Sequence, residues 1–225
     1  MMAWMAAKEL ALTSAAGARA VTPVSLAVGA FGLTFGVLAR DSGLGPVATI
    51  VFSATTFAGS AQFAAASVLA GGGTLAAAIG AAVLLNARYI PICLSVAPAL
   101  GGPAWKRALR AQLIVDESWA IGHLGGGRFD PARILGAGIV LWLAWVGSTA
   151  IGVLAGDLIG DPLTLGLDAA FPALFLALLA GQVEGRRGLA AALSGAAIAL
   201  LLVPFVPVGV PIVAAAAACL LGLRR

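Results

Sequence analysis

Charge is scarce in this sequence. Of the 225 residues, 10% are charged and 61% are hydrophobic, and the mean hydropathy is +1.07. A soluble globular domain carries about 25% charged residues, so this chain has too few to cover a water-facing surface of its size. The apolar excess is therefore expected to face lipid. The 30 glycines agree with this interpretation, because small residues let helices pack closely inside a membrane.

Histidine and cysteine are also rare. The single histidine, His123, has no second histidine or cysteine cluster near it, and Cys93 and Cys219 lie inside apolar runs. This pattern argues against a metal site with nitrogen or sulfur ligands and against a disulfide framework. Each cysteine is expected to pack as a small hydrophobic residue. We therefore predict no metal and no cofactor.

Seven apolar runs organise the chain. A helix that spans a bilayer needs about 17–25 apolar residues, and the first four runs meet this requirement comfortably. The last three are short, and the final two could instead form one re-entrant hairpin, because prolines crowd their junction. The runs cover residues 21–39, 46–70, 75–97, 134–155, 163–180, 189–205 and 208–223. The sequence thus predicts an all-α polytopic membrane protein with about seven transmembrane helices, some of them broken or re-entrant.

We expect residues 1–225 to form a single transmembrane transporter domain. Residues 1–20 form an N-terminal tail that lacks the basic stretch of a signal peptide. Between the third and fourth runs, residues 101–130 form a cytoplasmic loop rich in basic residues. Its segment 111–124 is too short to span a bilayer, and its length suggests a re-entrant or interfacial helix.

The basic residues set the expected orientation. The net charge of +4 does not indicate nucleic-acid binding, because these residues lie between apolar runs. With an odd number of spans and a cytoplasmic C-terminus, ten basic residues, including Arg40 and Arg133, fall on the cytoplasmic side, whereas Lys8 and Arg19 fall outside. This distribution follows the positive-inside rule.

A short internal repeat accompanies this pattern. The segment GVLA that begins at Gly36 recurs at Gly152, a shift of 116 positions. Because the first and fourth runs would cross the membrane in opposite directions, the two copies would be inverted, as repeats are in many secondary transporters. A chance match between two helices rich in glycine and alanine explains the repeat equally well.

Polar side chains inside the second apolar run are candidates for function, because lipid makes them costly. Four hydroxyl side chains follow spacings of three, four and seven and are therefore expected to share one helix face: Ser53, Thr56, Ser60 and Ser67. Gly59 and Gln62 lie on an adjacent stripe. Helix packing explains the hydroxyls, since each can bond the carbonyl four residues earlier. The amide of Gln62 has more groups to satisfy, which favours a place facing a cavity.

The third run contains the strongest signal, the segment LLNARYIPICLS. A central arginine costs about 2.5–3.5 kcal/mol in a membrane, so the cost of Arg88 must be offset. Pro91 removes one backbone hydrogen bond and is predicted to free the carbonyl of Ala87, and Asn86 lies beside the same break. Arg88 is expected either to bind a substrate carboxylate through its planar guanidinium or to form an internal ion pair.

Three acidic residues are candidates for that ion pair and for a coupling proton: Asp116, Glu117 and Asp168. Asp116 and Glu117 lie in segment 111–124, where a cytoplasmic helix would leave their charges in water. Water is the favoured environment for Glu117, whereas Asp116 is flanked by apolar residues and is open to a functional role. Asp168 precedes Pro172, which would unwind the helix by freeing the Asp168 carbonyl. Alternatively, Asp168 caps a helix.

Three of these segments together resemble the azaleucine-resistance (AzlC-type) family: FAGSAQF, then NARY, then an Asp-Glu pair after a basic loop. The similarity extends from about Gly29 to Asp168. Members of that family often have histidine where this chain has Tyr89, which puts a proton-handling role at this position in doubt. The resemblance implies an inner-membrane exporter of leucine, isoleucine, valine and related amino acids such as methionine. It also implies a small, separate, hydrophobic AzlD-type subunit as partner.

Our hypothesis is a secondary exporter driven by the proton gradient, without enzymatic activity. Its substrate-binding residues would be Gln62, Ser60, Gly59, Asn86, Arg88 and Ser53. Two other classes remain open. An intramembrane serine hydrolase would use Ser60, although the only histidine, His123, lies outside the confident spans. A channel or a non-transporting scaffold for a small partner is the third class.

Overall fold

The computed structural model describes residues 2–159, 176, 179–180, 183, 185–206, 210–215 and 218. Within these ranges the chain is helical and contains no β-strand, apart from an isolated bridge between His123 and Phe129. The α-helices are α1 (Met2–Asp41), α2 (Pro46–Thr56), α3 (Gly59–Ala70), α4 (Leu75–Asn86), α5 (Tyr89–Val96), α6 (Ala104–Ala111), α7 (Asp116–Gly122), α8 (Pro131–Ile159), α9 (Gly185–Leu202) and α10 (Val210–Ala215). A 3₁₀ turn, Ala97–Ala99, follows α5.

Three helices are long and apolar enough to cross a membrane: Leu12–Arg40 within α1, Pro131–Ala155 within α8, and α9. α4 and α5 together form a fourth candidate span, which is bent by 44°. These segments confirm an all-α membrane protein, and they match the first, third, fourth and sixth apolar runs. Most of the fifth run, with Asp168 and Pro172, and most of the seventh lie outside the described residues, so the count of seven stays a prediction.

The second apolar run forms two helices instead of one. α2 ends at Thr56, α3 begins at Gly59, and Phe57 between them adopts a left-handed conformation with φ = 41°. A residue with a side chain rarely adopts this conformation, so the break depends on contacts that stabilise it. The prediction that Ser53 and Ser60 share one helix face is therefore wrong, because they lie on different helices.

Two side chains from distant segments satisfy the carbonyl groups at the end of α2. The indole N–H of Trp142 donates a hydrogen bond of 3.0 Å to the carbonyl of Ala54. The side-chain amide of Gln112 donates one of 2.6 Å to the carbonyl of Thr55. The last carbonyls of a helix have no partner within the helix, and an unpaired polar group is costly away from water. These two bonds make the end of α2 a stable feature.

α1 and α8 pack side by side, and glycines make their contact close. A Cβ atom added to Gly36 or Gly152 would lie 2.3 Å or 2.2 Å, respectively, from a backbone oxygen of the other helix. Nearer the N-terminal ends, a Cβ atom added to Gly17 would lie 2.2 Å from the backbone oxygen of Arg133. Only glycine permits such distances, so the two backbones touch directly. α1 and α8 thus form a rigid pair.

The order of these contacts sets the relative direction of the two helices. The contact partners advance together along both helices: Gly17 with Arg133, Gly32 with Trp145 and Ser148, and Gly36 with Thr149 and Gly152. α1 and α8 therefore run parallel, and the two GVLA segments are parallel rather than inverted. The prediction of inversion assumes that each intervening apolar run crosses the membrane once. The second run is broken into α2 and α3 and does not form one straight helix, so this assumption does not hold.

Parallel packing also changes the expected distribution of basic residues. Arg40, near the end of α1, donates a hydrogen bond of 3.2 Å to the carbonyl of Val153, near the end of α8. Arg133 lies at the beginning of α8. The two arginines are therefore at opposite ends of the helix pair. If both helices span the membrane, Arg40 and Arg133 do not both face the cytoplasm, contrary to the prediction from the positive-inside rule.

The basic loop 101–130 contains two short helices. α6 is exposed and carries the basic and apolar side chains typical of an interfacial helix: Trp105, Lys106, Arg107, Leu109 and Arg110. α7 instead packs against α1 and α8. The residues before it, Ile114 and Val115, are buried, and the Ser118 hydroxyl accepts a hydrogen bond of 2.9 Å from the N–H of Val115. Segment 111–124 therefore provides a seven-residue helix that folds back into the protein.

Candidate functional site

A cavity of about 50 Å³ lies where α7 meets α1, α3, α8 and the breaks in the two interrupted helices. One side of the cavity is polar and is lined by Ser60, Arg88, Tyr89, Asp116 and Glu117. The other side is apolar and is lined by Val28, Phe31, Phe57, Val115, Leu141 and Trp145, with Gly59 completing the wall. The cavity lining is thus amphipathic, because it combines charged and polar groups with aliphatic and aromatic side chains.

The α8 residues that line the cavity lie near the middle of that helix. Trp145 is the central residue of the 29-residue helix α8, with residues 131–144 before it and 146–159 after it. At about 1.5 Å per residue, this position is roughly 20 Å from either end of the helix. If α8 crosses the membrane as this candidate span, the polar side chains of the cavity lie near the bilayer centre.

Arg88 is the centre of the polar side. Its guanidinium lies 3.1 Å from the carboxylate of Asp116 and donates a hydrogen bond of 3.1 Å to the hydroxyl of Ser60. The Tyr89 hydroxyl lies 3.5 Å from both the guanidinium and the Asp116 carboxylate. Asp116, one of three candidate partners, is therefore the residue with which Arg88 forms an ion pair. A charge in this position needs such a partner.

The turn between α4 and α5 positions Arg88. The carbonyl of Ala87 accepts a hydrogen bond of 3.1 Å from the N–H of Ile90. Pro91 therefore does not leave this carbonyl free, as the sequence predicted, because the chain tightens into a turn that satisfies it. The bend that results directs Arg88 into the cavity, while the helices on either side continue as a bent pair.

Gln62 is fully buried and does not line the cavity. Its Oε1 accepts hydrogen bonds from the indole N–H of Trp145 (3.0 Å) and from the backbone N–H of Ala58 (3.2 Å). Both partners can only donate, which fixes the orientation of the amide. Its Nε2 has no hydrogen-bond partner among the described residues. Gln62 therefore holds the start of α3 and the cavity wall at Trp145.

Ser53 also lies behind the cavity. Its hydroxyl is 2.9 Å from that of Thr149, which itself donates a hydrogen bond of 2.7 Å to the carbonyl of Trp145. Since Thr149 uses its proton for that bond, Ser53 is the donor between the two hydroxyls. Both side chains are fully buried. This pair joins α2 to α8 within the helix bundle.

Asn86 lines a second cavity, an apolar groove of about 630 Å³ bordered by α2, α3 and α4. Its Oδ1 is buried and has no hydrogen-bond partner in the described part of the chain. Thr56 and Ala87 line this groove, whereas their neighbours Phe57 and Arg88 line the small cavity. Residues at the two helix breaks therefore line both the groove and the small cavity.

The structure brings five predicted site residues together and separates the others. The cavity contains Gly59, Ser60, Arg88, Asp116 and Glu117. Ser53, Gln62 and Asn86 do not line it, Pro91 lies in α5 behind the turn, and Asp168 and Pro172 lie outside the described residues. Glu117, for which water was the favoured environment, lines the cavity instead, because α7 folds back against α1 and α8.

The apolar wall was not predicted from the sequence. Val28, Phe31, Leu141 and Trp145 lie within long apolar runs in which their neighbours have the same chemistry. No local pattern distinguishes an apolar residue that faces a cavity from one that faces another helix or lipid. The close glycine contacts between α1 and α8 are the relevant feature, because they fix which sides of the two helices are turned toward α7.

The arrangement suits a small zwitterion. One guanidinium and two carboxylates provide both signs of charge for an ammonium and a carboxylate, and the opposite wall can contact an apolar side chain. Within the described ranges, no group of three His, Cys, Asp or Glu side chains is placed to hold a metal ion. His123 stacks on Trp119 and packs against Phe129, so it does not share the cavity with Ser60.

Comparison with known proteins gives consistent matches across most of the chain. The AzlC protein family matches residues 23–159. An uncharacterized membrane protein of Archaeoglobus fulgidus is 34% identical over 187 residues, which are 79% of either chain.

Two further relatives come from bacteria. The inner membrane protein YgaZ of Escherichia coli is 26% identical over 200 residues, which are 80% of this chain and 78% of that protein. The branched-chain amino acid transport protein AzlC of Bacillus subtilis is 26% identical over 170 residues, which are 73% of this chain and 65% of that protein. No solved structure matches the chain.

Proposed function

The chain belongs to the AzlC protein family, a family of membrane transport proteins, and on this premise we propose that it is a secondary transporter for branched-chain amino acids. It exports leucine, isoleucine, valine and methionine across the inner membrane in exchange for protons. The relative from Bacillus subtilis, described as a branched-chain amino acid transport protein, supports the substrate class. The relative from Escherichia coli, described as an inner membrane protein, supports the location.

The observation that carries this proposal is the Arg88–Asp116 ion pair in an amphipathic cavity at the middle of α8. A charged pair at this depth is costly and is retained where it has a function. A branched-chain amino acid combines an ammonium, a carboxylate and an apolar side chain. The cavity offers a complementary group for each of the three.

Substrate binding uses the two halves of the cavity separately. The planar guanidinium of Arg88 binds the substrate carboxylate in exchange for Asp116 and keeps its bond to Ser60. The substrate ammonium then lies beside the acidic pair Asp116 and Glu117. The ion pair therefore compensates the charges of Arg88 and Asp116 at rest, and the substrate replaces the same interaction.

The apolar half accommodates the substrate side chain. Leu141 and Trp145 from α8 and Phe31 from α1 line the cavity. A pocket of this kind separates aliphatic side chains weakly, by about 1–3 kcal/mol per methylene. A transporter that accepts leucine, isoleucine, valine and methionine with similar affinities agrees with such a wall.

A carrier also needs a site that opens to either side of the membrane in turn. Two helix breaks, at Phe57–Ala58 and at Ala87–Arg88, contribute residues to the small cavity and have neighbours in the apolar groove. Broken helices at a binding site are common in secondary transporters. A change in these breaks would connect the cavity to the groove without disturbing the rigid α1–α8 pair.

The partner is proposed from the family alone: a small hydrophobic AzlD-type subunit. A cytoplasmic C-terminus is likewise part of the proposal. The rival serine hydrolase has less support, because the Ser60 hydroxyl accepts a hydrogen bond from Arg88, and the general base that a serine nucleophile requires would have to come from a residue other than His123. The third class, a channel, differs from a carrier in that its substrate flux would not saturate.

Export of labelled valine from membrane vesicles containing both subunits tests this function. We expect saturable flux that depends on the proton gradient and is lost in Arg88→Ala. Arg107→Ala, which removes a comparable arginine from the exposed face of α6, is the matched control and should transport normally. Undiminished export in Arg88→Ala would contradict the site, and absence of valine flux in the unmodified protein would contradict the function.

A further inference from the structure

Glu117 differs from its neighbour Asp116 in forming no ion pair with a described residue. Both residues lie in the first turn of α7, and both line the cavity. Asp116 is bridged by Arg88 at 3.1 Å, with the Tyr89 hydroxyl beside it. The carboxylate of Glu117 forms no ion pair with the described residues. The cavity therefore contains one carboxylate more than its single arginine compensates.

The described residues of the other cavity walls supply no further charge. From α1 the cavity is lined by Val28 and Phe31, and from α8 by Leu141 and Trp145. α3 contributes only Gly59 and Ser60. Arg88, Tyr89 and Asp116 are thus the ionisable groups that face Glu117 among the described residues. With Asp116 and Glu117 ionised, the described residues of the cavity have a net charge of −1.

Such a charge is unfavourable at the middle of a membrane span. Removal of water from around a carboxylate favours its neutral form, and an uncompensated charge at this depth is costly. The empty cavity is therefore more stable when Glu117 carries a proton. An ammonium that enters the cavity provides the alternative compensation, because its positive charge favours the ionised carboxylate.

We propose that Glu117 is the site at which the coupling proton and the substrate ammonium compete. This inference rests on the proposed transport function and adds its coupling step. Substrate binding from the cytoplasm transfers the Glu117 proton to water, and the carboxylate then pairs with the ammonium. On the other side of the membrane a proton returns to Glu117, the ammonium loses its partner, and the substrate leaves. One proton enters for each amino acid that is exported.

Proton release on substrate binding tests this competition directly. The purified complex of the chain and its small subunit is placed in weakly buffered solution with a pH-indicator dye, and valine is added. We expect about one proton to be released for each valine bound. We also expect the apparent Kd for valine to rise by about tenfold for each unit of pH below the pKa of the carboxyl group. Valine binding without proton release and without pH dependence would overturn the proposal, while export remained intact.

Variants of Glu117 separate its role from a structural one. Glu117→Gln should bind valine more weakly, with a Kd that no longer changes with pH and without proton release. Glu117→Asp, which restores a carboxylate, should restore both. Asp130→Asn is the matched control, because Asp130 caps α8 through the N–H groups of Ala132 and Arg133 and does not line the cavity. Its proton release should equal that of the unmodified protein.

The outcomes distinguish failure of the coupling from failure of the function. Proton release that persists in Glu117→Gln would assign the proton to another group and overturn the proposal. If the unmodified complex binds no branched-chain amino acid at all, the proposed function fails before the coupling is reached. If Glu117→Gln does not fold, Glu117→Asp decides the question: a shifted pH midpoint of valine binding supports the proposal, and an unchanged midpoint overturns it.

Discussion

The indole nitrogen of Trp145 lies 3.0 Å from Oε1 of Gln62, and both side chains are almost completely buried. Trp145 lines the cavity, stacks on Phe35 with ring centroids 6.0 Å apart, and meets Phe63 edge to face. Gln62 also binds the N–H of Ala58 at the break before α3. One amide thus connects the helix break to the wall of the cavity, although it does not line the cavity itself.

Removal of this amide is expected to weaken substrate binding through Trp145. Gln62→Leu leaves two buried N–H donors without their acceptor, at a cost of about 1–3 kcal/mol for each group. We expect a lower Tm and a higher KM for valine export. Trp145→Phe removes the same hydrogen bond from the other side. The KM of the double variant should therefore rise clearly less than additive effects of the two single changes predict. Additive effects would contradict the coupling between these residues.

Arg88 and Asp116 should depend on each other for stability. Loss of one partner of a buried ion pair costs about 3–5 kcal/mol, and the exposure of each side chain, 26%, places the effect at the lower end of this range. We therefore expect Arg88→Gln and Asp116→Asn each to lower Tm more than the double variant does. Transport of valine should be lost in Arg88→Gln and in the double variant. Thermal unfolding followed by fluorescence-detected size exclusion checks the order, and a double variant less stable than both single variants would contradict it.

The membrane spans could be predicted from the sequence because their signal is local. A run of about 17–25 apolar residues must cross a bilayer or be buried, whatever its neighbours are, and α1 and α8 meet this expectation. The break at Phe57 depends on long-range contacts instead. The carbonyls of Thr55 and Ala54, just before the break, accept hydrogen bonds from Gln112 and Trp142. These donors lie 57 and 88 positions away along the chain.

The same distinction applies to the cavity. Arg88 could be identified because a charge inside an apolar run is costly in any fold. The sequence predicts that Glu117 faces water. Its actual environment depends on α7 folding back against α1 and α8, which no local pattern indicates. Gln62 was recognised as an unusual polar group, but its partner Trp145 is 83 positions away. The sequence alone therefore indicated a cavity-facing role, whereas the contacts of Gln62 indicate that it positions Trp145.

Leu141 is expected to limit the size of the transported amino acid. Its side chain is 1% exposed and lines the apolar half of the cavity. Leu141→Ala enlarges this half at a cost of about 2–5 kcal/mol in stability, and we expect phenylalanine to compete with labelled valine more strongly than in the unmodified protein. Leu143→Ala, on the outer surface of the same helix with 59% exposure, is the control. Equal competition by phenylalanine in both variants would exclude Leu141 as the limit.

Two glycines of α8 should respond to alanine in opposite ways. A Cβ atom at Gly152 would lie 2.2 Å from the carbonyl oxygen of Leu33, so Gly152→Ala must separate α1 from α8 and lower Tm. A Cβ atom at Gly147 meets nothing within 4 Å, and alanine is favoured over glycine in a helix by about 1 kcal/mol. Gly147→Ala should therefore preserve or raise Tm. Equal unfolding temperatures for the two variants would show that the close contact is absent.

The parallel packing of α1 and α8 leads to a specific membrane topology. If both helices span in the same direction, the turn after α1 and the loop before α8 lie on opposite sides of the membrane. We expect Ser42→Cys and Arg128→Cys, each made after Cys93 and Cys219 have been replaced by alanine, to react with a membrane-impermeant maleimide from opposite sides. Right-side-out and inverted vesicles, labelled in parallel, measure this. Alternating spans would place both positions in the cytoplasm, so labelling from the same side would contradict the parallel contact that the glycines create.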